Sequence, residues 1–149
     1  MSVTGEEILR QPDAWLRAPA VLAESKAVLP RRGETVAVVG CGTSWFVSQA
    51  YARLRESAGE GWTDAVAASE MPLRSYDRVV AITRSGTTTE VLDLLDNLRG
   101  RTPTVAITSD MATPVVAVAD ATIDLSFAGE ASVVQTIFAT TSLTVLRAS

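Results

Sequence analysis

Five short apolar runs recur along the chain, each separated from the next by a helix-like stretch or a turn. They read "TVAVVG" (35–40), "TDAVAAS" (63–69), "RVVAIT" (78–83), "TVAIT" (104–108) and "ATIDLS" (121–126). Brief, nearly continuous apolar runs suit strands that are buried on both faces. The connections carry helical signals. One helix runs from Ser44 to about Ser57, and another covers Thr89–Leu98 with Val91, Leu92, Leu94, Leu95 and Leu98 on its buried side. A short helix is expected near Pro114–Ala119. The last segment, "ASVVQTIFATTSLTVLRAS", places Val133, Val134, Ile137, Phe138 and Leu146 at roughly helical spacing. Strands alternating with helices predict an α/β fold with a parallel sheet and helices on both faces.

Ahead of the first strand, residues 4–29 read as an interrupted helical arm. Thr4 and Glu7 form a capping-box pattern, and Pro12 and Pro19 each suit a helix start better than an interior. Trp15, Leu16, Val21 and Leu22 give the arm an apolar side, and "LPRRGET" (29–35) ends it. The chain therefore divides into an arm, 1–34, and a single α/β domain, 35–149.

A five-stranded parallel sheet in the flavodoxin-like order 2-1-3-4-5 has its topological switch point between the first and third strands, and ligands bind outside the carboxyl ends of strands at such a point. The loops expected there are "GCGTS" (40–44) and "TRSGTTTE" (83–90), the two richest in Gly, Ser and Thr. Each runs into a helix start, where unpaired N–H groups and the helix dipole favour an anion. Gly40, Gly42 and Gly86 allow close backbone approach, while Thr43, Ser44, Thr83, Ser85, Thr87 and Thr88 offer hydroxyl donors. Two readings follow: the hydroxyls cap their helices, or they cradle a phosphate monoester. A dinucleotide fits less well. Trp45 stands where the third glycine of the Rossmann fingerprint belongs, and no Gly-Lys-Ser/Thr occurs.

Composition narrows the chemistry. The 149 residues contain no histidine, so the side chain best placed for proton transfer at neutral pH is missing. A net charge of −4 argues against nucleic acid as a partner. No apolar run approaches the length of a membrane helix, and the N-terminus lacks the pattern of a secretory signal. The single cysteine, Cys41, fits a reducing cytoplasm. It is read as a reactive thiolate at a helix start or, more simply, as a small residue filling space under the loop. Glu70 serves either its own loop or a dimer contact, and Trp15, Trp45 and Trp62 are read as core or interface packing.

"GCGTS", "ASEMPLR", "AITRSGTTTE" and "GEASVVQTIFATTSLTVL", in this order and spacing, resemble the SIS (sugar isomerase) domain family. The likeness is in particular to the first SIS domain of the isomerase half of glucosamine-6-phosphate synthase and to related two-SIS phosphosugar isomerases. "EEILRQPDAW" resembles the arm preceding that domain. The resemblance implies a sugar-phosphate ligand and no cofactor or metal. In such synthases the loop after the third strand reads Ser-Gln-Ser-Gly-Glu-Thr and wraps the phosphate. Carried to this chain, Ser44, Thr83, Ser85 and Thr88 bind phosphate, while Gly42, Thr43 and the backbone of Val133 face the sugar.

Arg84 replaces the family's glutamine and is expected either to contact the phosphate or to point to solvent. Ile137 and Gln135 replace a lysine and a serine, which moves the chain toward a broader group of aldose–ketose isomerases and deglycases. Glu130 is the candidate general base within the chain, although the family's catalytic glutamate and histidine come from its second SIS domain. The final helix lacks a Gly cap or Pro stop, so the chain is expected to be the first of two SIS domains, or to form a homodimer. The alternative to an isomerase or deglycase is a regulatory module that senses a sugar phosphate.

Overall fold

The computed structural model describes residues 2–149, so the first residue of the arm lies outside it. The arm forms α1 (Val3–Trp15) and α2 (Ala18–Ser25). Then come β1 (Val36–Gly40), α3 (Thr43–Ser57), β2 (Thr63–Ala67), β3 (Arg78–Ile82) and α4 (Thr89–Leu98). The chain continues through β4 (Thr104–Thr108), the single turn α5 (Val115–Val118), β5 (Ala121–Asp124) and α6 (Ile137–Arg147). All five strands are parallel in the order β2-β1-β3-β4-β5, as expected from the strand–helix alternation.

Successive strand residues point to opposite faces, and each face has its own core. Val36, Val38, Val80, Ile82, Val105, Ile107 and Ile123 pack under Val47 and Tyr51 of α3, Phe138 and Val145 of α6, and Ala14, Ala18 and Leu29 of the arm. The opposite face is thinner. Ala37, Val39, Val79, Ala81 and Ala106 meet Val91 and Leu95 of α4 and Val115 of α5. The arm is thus part of the core on the α6 face.

Three local expectations are corrected. Pro12 lies inside α1 rather than at a helix start. Its missing N–H frees the carbonyl of Ile8, which instead accepts from the Gln11 side chain at 3.3 Å, so the helix runs on. Thr4 and Glu7 do not form a capping box: Ser2 caps α1 by accepting from Gly5 N, and Glu7 points elsewhere. The last helix begins only at Ile137, leaving Val133 and Val134 exposed in the loop before it.

At the amino ends of the strands the sheet is fastened by arginines. Arg78 makes a two-pronged pair with Glu34, both contacts at 3.0 Å, and also donates to the Val28 carbonyl. The buried Arg55 donates to the carbonyls of Arg31 and Glu34 and to Thr63 Oγ1. The Arg78 guanidinium holds the Glu34 carboxyl below its ordinary value of 4.5. A lowered folded-state pKa contributes stability that is complete above the ordinary value and is lost as pH falls through the lowered one. Glu34→Gln is therefore expected to cost about 1–3 kcal/mol at neutral pH. In urea unfolding, that difference should shrink toward zero in acid below the carboxylate range; a gap that persists there contradicts the ion-pair account.

Candidate functional site

Val39 pairs with Ala81, so β1 and β3 end side by side. α3 leaves β1 toward one face of the sheet, and α4 leaves β3 toward the other. The loops 41–43 and 83–88 therefore flank the switch point at the carboxyl edge, where sheets of this order carry their ligand crevice.

The first loop is held tightly. A Cβ on Gly40 would lie 2.7 Å from the backbone carbon of Ser44, so only glycine lets α3 start this close to the strand. Gly42 has a φ of +57° and is the N-cap of α3; it has no side chain with which to cap. Ser44 is buried and its carbonyl accepts from Ser48 Oγ at 2.8 Å, whereas Thr43 is partly exposed. Cys41 packs against the core on the α4 face, and burial pushes its thiol pKa up. That environment suits the space-filling reading of this cysteine over the thiolate one.

The second loop turns on Gly86. Its φ is +65°, and a Cβ there would stand 2.0 Å from Thr113 Oγ1. Around this glycine the hydroxyls hold one another. Thr83 Oγ1 accepts from Gly86 N at 3.2 Å and lies 3.4 Å from Thr88 Oγ1. Ser85 Oγ accepts from both the N–H and the hydroxyl of Thr87, at 3.3 and 3.0 Å. Thr83 is buried while Ser85 is exposed. Among the described residues, no side chain caps the start of α3 or of α4. The hydroxyls thus organise the loop instead of closing the helix ends; the Ser44, Trp45 and Val91 N–H groups bond to the carbonyls of Cys41, Gly42 and Thr88, and among the described residues those of Thr43, Thr89 and Glu90 stay open.

Arg84 reaches across to another loop. Its Nη1 donates to the carbonyl of Ser132 at 2.8 Å, tying this loop to the 129–136 loop. The Arg84 carbonyl accepts from Thr108 Oγ1 and Ser109 Oγ beside the end of β4. Glu130 is also engaged. Its Oε1 accepts from Thr136 Oγ1 at 2.6 Å and from the N–H groups of Thr136 and Ile137, and its Oε2 accepts from Phe138 N at 3.1 Å. This carboxylate closes the start of α6 from outside the helix, which explains why α6 begins seven residues after it. Val133, next to the Arg84 contact, is 91% exposed.

Glu70 is exposed, and Trp62 donates to Asp64. Glu7, Trp45 and Gln135 have surroundings that the sequence did not suggest. Glu7 is buried against the 129–136 loop, where it accepts from Ala131 N at 2.7 Å. Trp45 Nε1 and Gln135 Oε1 are buried with no hydrogen-bond partner among the described residues. The capping-box spacing from Thr4 pointed Glu7 to the wrong partner; the signal that fits is its place on one helical face with Gln11 and Trp15. No described helix is long and apolar enough to cross a membrane.

Several solved structures share this fold. Glucosamine-6-phosphate deaminase from Thermotoga maritima matches with a TM-score of 0.80 at 24% identity, over 98% of this chain and 47% of that one. The C-terminal domain of glucosamine-fructose-6-phosphate aminotransferase from Francisella tularensis gives 0.78 at 21%, over 98% and 46%. The sugar isomerase domain of an RpiR transcription factor from Sphaerobacter thermophilus gives 0.72 at 18%, over 98% and 86%. The chain spans about half the length of the first two. No curated protein matches it. The family model for the SIS domain, in contrast, matches residues 31–148, and the chain belongs to that family.

Proposed function

We propose that the crevice between the β1 and β3 loops binds the phosphate of a hexose or hexosamine phosphate. The observation that carries this reading is the set of open N–H groups at the starts of α3 and α4, those of Thr43, Thr89 and Glu90, at the same sheet edge as the Thr83–Thr88 hydroxyl pair. Helix N–H groups and neutral hydroxyls stabilise a dianion without a buried cation, which suits a ligand that must be released again. In this reading Ser44, Thr83, Ser85 and Thr88 bind the phosphate, and Gly42, Thr43 and the backbone of Val133 face the sugar. Arg84 supports the loop. Glu130 enters as the cap of α6 and not as a base, because its oxygens already accept four donors.

The chain is then the phosphosugar-binding part of a cytoplasmic aldose–ketose isomerase or amino-sugar-phosphate deaminase. Such chemistry opens the sugar ring and shuttles a proton between C1 and C2. The acid–base groups come from a second SIS domain or a second copy of the chain. The names of two structural relatives, a deaminase and an aminotransferase domain, support this reading. One observation favours a sensing module instead: the chain has no histidine, and its best-placed carboxylate is occupied.

Calorimetric titration with the 6-phosphates of glucose, fructose and glucosamine tests the reading, and binding of at least one is expected. Ser85→Ala and Thr88→Ala should each weaken it by about 1–3 kcal/mol; unchanged affinity removes that residue from the site. Gly86→Ala should abolish binding, since the added methyl drives the loop off Thr113, and retained affinity contradicts the cradle. Isomerisation or deamination by the chain alone, followed by product assay, would decide against the sensing module.

A further inference from the structure

Ser132 is held by every polar group it has. Its N–H donates to Glu7 Oε1 at 3.2 Å, its hydroxyl lies on Glu7 Oε2, and its carbonyl accepts from Arg84 Nη1 at 2.8 Å. The holders come from distant parts of the chain, α1 and the loop after β3, and each is fixed in turn. Glu7, Gln11 and Trp15 share one face of α1, and all three bond the segment 131–140. Trp15 Nε1 donates to Thr140 Oγ1 at 3.0 Å, and that hydroxyl lies 2.8 Å from Gln11 Oε1. The Arg84 backbone is fastened to the end of β4 by Thr108 and Ser109.

Docking the arm does not require Glu7. Ala14 and Ala18 already sit in the core, and Gln11 and Trp15 already reach α6. Among the described residues, Glu7 has no Arg or Lys within salt-bridge distance, although it is only 4% exposed. A buried carboxylate is costly unless donors surround it, and every donor around Glu7 belongs to Ala131 or Ser132. The Ser132 hydroxyl and then these N–H groups hold its carboxyl below the usual glutamate value. Its interactions are thus spent on one short loop. That loop presents Val133 outward beside the crevice.

We infer that Glu7 and Arg84 are positioning residues of the site: together they fix Ser132, so that the 131–133 backbone stands at a set distance from the 83–88 loop and determines affinity for the sugar, not for the phosphate. The inference rests on the phosphosugar reading above and adds the arm to the site. It also makes Arg84 a strut between two loops rather than a phosphate ligand.

The test compares the tightest-binding sugar 6-phosphate of the titration panel with inorganic phosphate, using the full 149-residue chain. Glu7→Ala should weaken the sugar phosphate about tenfold while inorganic phosphate changes by less than about twofold. Glu7→Gln keeps an acceptor for the two amides and a donor for the Ser132 hydroxyl, and should restore most of the loss. Amide exchange at Ala131 and Ser132 should quicken in the alanine variant and not in the glutamine one. Arg84→Met approaches the same serine from the other loop and should show the same selective loss, even if Glu7→Ala folds poorly. Equal loss of both ligands in Arg84→Met makes Arg84 a phosphate ligand and overturns the inference. So does a folded Glu7→Ala variant whose two amides exchange faster while sugar affinity stays unchanged. If the wild-type chain binds no sugar phosphate, the underlying reading of the site falls first.

Discussion

The side-by-side placement of β1 and β3 governs everything at the carboxyl edge of the sheet. Because their helices leave toward opposite faces, the two loops diverge from neighbouring strand ends, the arrangement that opens a ligand crevice at the switch point of such sheets. Two glycines make that geometry possible in this chain. Gly40 lets α3 begin in contact with the strand end, and Gly86 lets the second loop turn against Thr113. A side chain at either would push its loop off the sheet, and the helix starts would no longer face the crevice.

The electrostatic character of the crevice follows from what is left unpaired. Hydroxyl side chains at helix starts usually cap them, yet here Thr83, Ser85, Thr87 and Thr88 bond within their own loop. The positive ends of the two helix dipoles carry no side-chain cap, and no arginine or lysine is aimed between them by any contact of this loop. Arg84, the one cation in the loop, is committed to Ser132. Binding energy drawn from amides and hydroxyls is directional, so it depends on loop positions being kept. That dependence gives the clamps on the 129–136 loop their importance: Glu130 at the start of α6, Glu7 from the arm and Arg84 from across the crevice.

The sheet was legible because its determinants are local. β4 and α4 fall at the expected boundaries, since an apolar run between polar flanks and a leucine-rich helical face need no distant partner to be recognised. The switch-point loops were legible for the same reason. What escaped depends on residues far apart. The spacing of Val133 and Val134 suggested helix, but the Glu130 carboxylate reaches forward to Thr136, Ile137 and Phe138 and sets the helix start there. Glu7 suggested a local cap three residues after Thr4, while its partners lie beyond position 130. Pro12 suggested a helix start, and only the neighbouring Gln11 side chain, bonded to the Ile8 carbonyl, shows how the helix accommodates it. Arg84 offered no sequence signal that its partner was a backbone carbonyl on another loop.

The central claim is that an anionic sugar ligand sits between these two loops, and mapping the backbone amides during titration with a hexose 6-phosphate tests it most directly. The account predicts that the shifted amides cluster at 42–44, 84–90 and 131–134, with the amino ends of the strands around Arg55 and Arg78 unchanged. A saturable titration whose shifts fall elsewhere on the molecule, with the 84–90 amides unmoved, would contradict it.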